Sequence, residues 1–302
     1  MNDLRIASER QRKDAFRHGT HKNHQTQFKS YISFCCHYGL RDINPEPETI
    51  AMYATFLSQK LKCHKSISNY ISGVRLLHKY LGQPCPALDS FELILNLRAI
   101  RLTLRCTRKR RLPVTPQLLV TMATACDSLD NAAGSILKVA ILFGYYGMLR
   151  QSNLCPPHMD RFDPTRHTCR QDIIHQKSSL AIIIKWSKCS QTMDNVNLIP
   201  IPHTKNPVVD PVHAYNQMIT MIPTASDNCP LLISKQGTPI SIAALRNMFK
   251  LLLTLCKLDT AAYSLHSLRR GGATTAYQSS VSCLEIARHG GWSPNSTAYL
   301  DY

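Results

Sequence analysis

Acidic side chains are scarce, with 19 Asp and Glu against 36 Lys and Arg among 302 residues, a formal net charge of +17. That deficit points to a polyanionic partner, and nucleic acid is favoured over a membrane surface. No apolar run approaches the roughly 20 residues of a transmembrane helix. The chain does not open with a charged segment followed by an apolar export stretch. Its 12 cysteines include no CxxC pair and only one adjacent pair, Cys35-Cys36, so a reduced, intracellular protein is expected rather than a disulfide framework. His158, His167, Cys169 and His175 crowd one stretch, but their spacing fits no common zinc pattern, and no metal is expected. A GxxxxGK[ST] loop is absent, so ATP use is not indicated. No local serine or cysteine nucleophile signature occurs either. The expectation is a protein with no cofactor, no membrane contact and no small-molecule substrate.

With 44% hydrophobic residues, the chain can bury a core and is long enough for two domains. The basic surplus is uneven. Residues 1–112 hold 20 basic and 8 acidic side chains, whereas the rest hold 16 and 11, so the amino-terminal part is expected to be the main electrostatic clamp. Residues 1–24 are polar and lack periodicity, which reads as a flexible basic arm. Residues 25–105 then read as four short amphipathic helices. Phe28, Tyr31, Ile32 and Cys35 fall at i, i+3, i+4, i+7, and Ile50, Tyr53, Ala54 and Leu57 repeat the spacing after a proline-rich break. Ile67, Tyr70, Ile71, Val74 and Leu77 mark a third helix opened by Ser66, and a fourth runs from about Leu88 to Leu104. Residues 106–114 form a basic, proline-ended linker, suited to follow a DNA backbone or to act as a nuclear import signal.

Residues 115–302 read as mostly helical with a small β-sheet. Thr115-Pro116 pairs an N-cap with proline at the first helical position, and Asp210-Pro211 does the same. A long apolar helix from about Ala132 leads into Gly147-Met-Leu-Arg150. Leu180–Trp186 and Asn195–Ile201 are rich in Ile and Val and read as strands. Ile242–Leu258 is a further helix, and the chain is again helical from His266, broken at Gly290-Gly291 and Ser293-Pro294.

Six positions carry the chemistry. His266 and Arg269 are three residues apart and share one helix face, so both can address one phosphate. Arg150 follows an apolar helix, where a buried guanidinium is costly without an anion. Lys188, with Lys185 as the competing choice, lies at a strand end and can reach a leaving oxygen. Trp292 can close the site, and Tyr302, or its neighbour Tyr299, can serve as a nucleophile. The set suits metal-free phosphoryl transfer to and from a tyrosine hydroxyl.

In this succession the chain resembles the tyrosine recombinase (phage integrase) family. Gly147-Met-Leu-Arg150 is similar to the family's first-arginine motif, Trp186-Ser-Lys188 to its hairpin lysine, and His266-Ser-Leu-Arg-Arg-Gly-Gly-Ala-Thr274 to its HxxR box. Gly291-Trp292 stands where the family has a second histidine or tryptophan, and Ser296–Tyr302 resembles the nucleophile helix. The wording of the HxxR box and Trp292 look most like recombinases of eukaryotic mobile elements, such as DIRS-type retrotransposons and Cryptons. The resemblance implies a mainly α fold: a four-helix core-binding domain (residues 25–105) and a catalytic domain (residues 115–302) with a small antiparallel sheet.

It also implies a site-specific DNA recombinase or integrase acting on double-stranded DNA, as a homodimer on one site and a homotetramer in the synaptic complex. It would be nuclear in a eukaryotic host and nucleoid-associated in the cytoplasm otherwise. Tyr302 would attack the scissile phosphate to leave a 3′-phosphotyrosyl bond. Arg150 and Arg269 would hold the non-bridging oxygens. His266 would hydrogen-bond the phosphate or accept the tyrosine proton, Lys188 would protonate the leaving 5′-oxygen, and Trp292 would buttress the site and donate its indole N–H. One residue departs from the pattern: Asn153 stands where the family usually has Glu or Asp. The alternative is a DNA-binding remnant or domesticated protein that keeps the fold without cutting.

Overall fold

The computed structural model describes residues 2–16, 18–104, 111–129, 131–186, 197–224, 226 and 228–292. Lys188, Tyr299, Tyr302 and most of the expected linker lie outside these residues. The chain divides into two compact units, Met1–Arg108 and Lys109–Tyr302.

The first unit is helical. It contains α1 (Asn2–Asp14), α2 (His18–Tyr38), α3 (Pro47–Lys60), α4 (His64–Tyr80) and α5 (Phe91–Thr103). Its core is built where the periodic apolar faces meet, around Tyr31, Ile50, Tyr53, Ile67 and Val74, all fully buried. The rings of Tyr31 and Tyr53 meet edge to face at 5.2 Å. Each hydroxyl keeps a partner, Asp42 O at 3.3 Å and Ser30 Oγ at 3.1 Å, as buried polar atoms require.

Three expectations are corrected here. Residues 1–24, which lack periodicity in the sequence, are helical in α1 and at the start of α2. Cys63, not Ser66, precedes α4. Leu88 lies in a 3₁₀ turn (Pro86–Asp89), and α5 starts only after Ser90, whose Oγ accepts the Leu93 N–H at 3.3 Å.

The second unit is assembled around α7 (Asn131–Tyr146), which is apolar on nearly every face and packs against α6 (Pro116–Asp127), α9 (Pro211–Met221) and α11 (Leu265–Gln278). A helix of that pattern has to be interior. The contact between α7 and α11 is close because Gly272 faces the Tyr145 carbonyl, which a Cβ would meet at 2.1 Å. Short α8 (Gln151–Leu154), α10 (Ile242–Leu255) and α12 (Cys283–Gly290) complete the helices. Thr115 caps α6 through the Leu118 N–H, and Asp210 caps α9 through the Val212 and His213 N–H groups.

An antiparallel sheet in the order β1 (Ile173–Gln176), β2 (Ser179–Ile184), β3 (Asn197–Pro202) completes the unit. Ile182 of β2 pairs with Ile173 on one side and Ile199 on the other. The central strand is buried almost throughout. Edge strand β3 alternates, with Ile199 and Ile201 inward, and tolerates Pro200 and Pro202. β1 is an element that the strand assignment from sequence omitted.

Candidate active site

The turn after α7 determines where Arg150 goes. Gly147 has no room for a side chain, since a Cβ would lie 2.8 Å from the Phe143 carbonyl. Met148 takes a positive φ of 47°, rare for a bulky residue. The chain thereby reverses, presenting the Met148 carbonyl to α11 and delivering Arg150 to the start of α8. Asn153 secures this turn. Its Oδ1 accepts the Arg150 backbone N–H at 3.0 Å, and its Nδ2 donates to the Trp186 carbonyl at 3.4 Å, joining α8 to the end of β2.

The HxxR pair lies on the first turns of α11. Arg269 is only 2% exposed. Its Nη1 donates to the Met148 carbonyl, and its guanidinium carbon stands 3.7 Å from the Trp292 ring centroid, a cation–π stack in a dry environment. Trp292 reaches this position through the end of α12. Gly291 takes a left-handed φ of 61°, and the Trp292 N–H returns to the Ala287 carbonyl at 2.9 Å, the usual way a glycine closes a helix. Gly290 leaves the space that the indole fills, because a Cβ there would lie 1.7 Å from the ring.

His266 and Arg150 line one cavity of about 490 Å³, together with Gln151, Arg246, Lys250 and Tyr263. Partial burial, then the charges of Arg269, Arg270 and Arg150, lower the His266 pKa from its ordinary value of 6.5. The neutral imidazole therefore predominates at pH 7, offering one donor and one acceptor nitrogen. Four of the six expected site residues are thus brought together: Arg150 and His266 line the cavity, and Arg269, whose charge acts on His266, stacks on Trp292. Arg269, expected to meet the phosphate directly, is covered in this structure. Lys185 is engaged elsewhere, in an ion pair with buried Asp172 at 2.6 Å and near Cys169 Sγ at 3.5 Å. Among the described residues no group of three or more His, Cys, Asp or Glu could hold a metal ion.

No protein-family model matches the chain. An integrase/recombinase XerD homolog of Selenomonas ruminantium is 24% identical over 276 residues, which cover 89% of this chain and 76% of the relative. The structure of lambda integrase bound to DNA matches with a TM-score of 0.63 at 15% identity, over 99% of this chain and 94% of that one. The Tn1549 transposon integrase in complex with transposon right end DNA matches with a TM-score of 0.61 at 15% identity, over 98% and 92%. XerH recombinase bound to its palindromic difH substrate matches at 0.58 and 13% identity, over 84% and 67%. The chain has the fold of the tyrosine recombinase/integrase family.

Within the tyrosine recombinase fold two features escaped the sequence reading. Arg246 and Lys250 were not singled out, although both line the cavity. Their signal was available: two cations at i, i+4 on the exposed face of an amphipathic helix. Asn153, expected to hydrogen-bond without supplying a negative charge, is a buried two-way bridge whose two partners the sequence does not identify.

Proposed function

We propose that the protein is a site-specific tyrosine recombinase that cleaves and rejoins duplex DNA through a covalent 3′-phosphotyrosyl intermediate. The observation that carries this reading is the meeting of Arg150 and His266 in one cavity, with the charge of Arg269, stacked on Trp292, acting on His266. Basic groups gathered there, with no carboxylate among the described residues of the wall, favour an anion and stabilise charge that builds on a phosphate in its transition state.

In this reading the Tyr302 oxygen attacks the scissile phosphorus and the bond to the 5′-oxygen breaks. The tyrosine proton passes to neutral His266, and Lys188 supplies a proton to the leaving 5′-oxygen. Religation reverses each transfer. Arg150 binds a non-bridging oxygen, and Arg269, held by Trp292 and the Met148 carbonyl, adds its charge. The phosphoester energy is kept in the protein–DNA bond. The helices of residues 25–105 act as the core-binding domain, with dimers on one site and tetramers in synapsis. The wording of the HxxR box and Trp292 support a place among recombinases of eukaryotic mobile elements, acting in the nucleus with residues 106–114 as the import signal.

Covalent trapping tests the proposal. A duplex selected from a randomised pool is nicked beside the cleavage site, so that the 5′-hydroxyl fragment diffuses away. The wild type is expected to accumulate a protein–DNA adduct stable to detergent, and Tyr302→Phe is expected to form none. Trapping by Tyr302→Phe but not by Tyr299→Phe would reassign the nucleophile. Tight binding with no adduct in the wild type would instead support the non-cutting DNA-binding alternative.

A further inference from the structure

The cavity wall does not stop at Arg150 and His266; it continues along α10. Arg246 and Lys250 are one helical turn apart and both exposed, while Leu245, Phe249, Leu252 and Leu253 bury the other face. Arg246 is oriented: its Nε donates to Gln151 Oε1 at 2.9 Å, and Gln151 is the residue directly after Arg150. Among the described residues the Arg246 Nη groups have no hydrogen-bond partner. The described wall holds Arg111, Arg150, Arg246, Lys250 and His266 and no Asp or Glu. Arg111 is committed to the carbonyls of Thr260, Ala261 and Tyr263 in the loop before α11. Arg246 and Lys250 thus remain as cations beside Arg150 with no acidic neighbour among the described residues of the wall.

Like charges gathered in one concave wall repel each other until an anion enters. One phosphate at Arg150 leaves the α10 cations unanswered, whereas a nucleic-acid strand offers a further phosphate at each 3.4 Å of axial rise. We propose that Arg246, aimed by Gln151 and supported by Lys250, forms a second phosphate subsite that holds the phosphate next to the scissile one on the same strand. The inference rests on the recombinase reading of the Arg150 and His266 site. It adds that the reacting phosphate is set in register by its neighbour. Arg246 is a positioning residue, separate from the groups that touch the reacting atoms.

The test uses the full chain and a mixed-sequence 30-base-pair DNA duplex, with binding followed by fluorescence anisotropy across a potassium chloride series. Arg246→Ala is expected to reduce the slope of log K against log salt by about 1 and to weaken binding about tenfold near 0.1 M salt. Arg246→Lys should keep the slope, and Gln151→Ala should fall between them. On the nicked trapping duplex, a neutral methylphosphonate one step from the cleavage site should slow adduct formation by the wild type and add nothing to Arg246→Ala. An unchanged slope in Arg246→Ala overturns the subsite, as does an equal methylphosphonate penalty in both proteins. Absence of any adduct while the slope still falls would contradict the recombinase reading and leave the phosphate contact standing.

Discussion

Asn153 shows how much depends on one amide. It satisfies the Arg150 N–H and the Trp186 carbonyl at once, tying the arginine turn to the segment just after β2. Asn153→Ala leaves both groups without this partner, and a lost partner of a buried polar group costs about 1–3 kcal/mol. The variant is expected to unfold at lower denaturant concentration and to trap DNA more slowly; an unchanged midpoint would show that the bridge is dispensable.

His266 makes a pH prediction. Its pKa is lowered by burial and then by Arg269, Arg270 and Arg150, so the neutral form needed to accept a proton persists below pH 6.5 and is lost only as pH falls through that lowered value. Single-turnover cleavage should therefore stay flat from neutral pH to somewhat below 6.5 and then fall. An acid limb centred above 6.5 would mean that the imidazole does not experience these charges or is not the proton acceptor. The pairing of His266 with Arg269 was legible because a three-residue spacing has one outcome on a helix. The burial of Arg269 was not, because it depends on a stack with a residue 23 positions later.

At the scale of elements, the end of α12 is where local rules and the site coincide. In the sequence Gly290 and Gly291 mark a helix break, and Gly291 leads into Trp292. In the fold, one makes room for the Trp292 ring and the other turns the chain so that the ring lies under Arg269. Gly290→Ala forces the indole aside, with an expected loss of about 1–3 kcal/mol, typical of overpacking. Trapping should slow while noncovalent DNA binding changes little. Wild-type trapping and stability in this variant would refute the role given to the stack.

The capped helices α6 and α9 were legible because Thr115-Pro116 and Asp210-Pro211 act within one turn. Helix α1 was not, since its charged residues surround the axis and Leu4 and Ile6 remain exposed; periodicity carries no signal where no apolar face is buried. β1, four residues long and buried only at Ile173, lacks the alternation that marks a strand.

At the scale of the molecule, the basic surplus noted first in the composition becomes local. Residues 1–112 carry most of it, and in the second unit Arg150, Arg246 and Lys250 line the cavity beside neutral His266. Two compact units with this fold, one basic and helical and one bearing the site, suit a protein that grips a duplex and acts on one phosphate of it. No helix among the described residues is long and apolar enough to cross a membrane. In the proposed reaction this phosphate becomes bonded to Tyr302. The most direct measurement is mass spectrometry of the adduct formed on the nicked duplex, after digestion of both protein and DNA. A nucleotide joined through its 3′-phosphate to the peptide containing Tyr302 is the expected product. A tightly bound duplex with no linked peptide, or a nucleotide on any other residue, would contradict it.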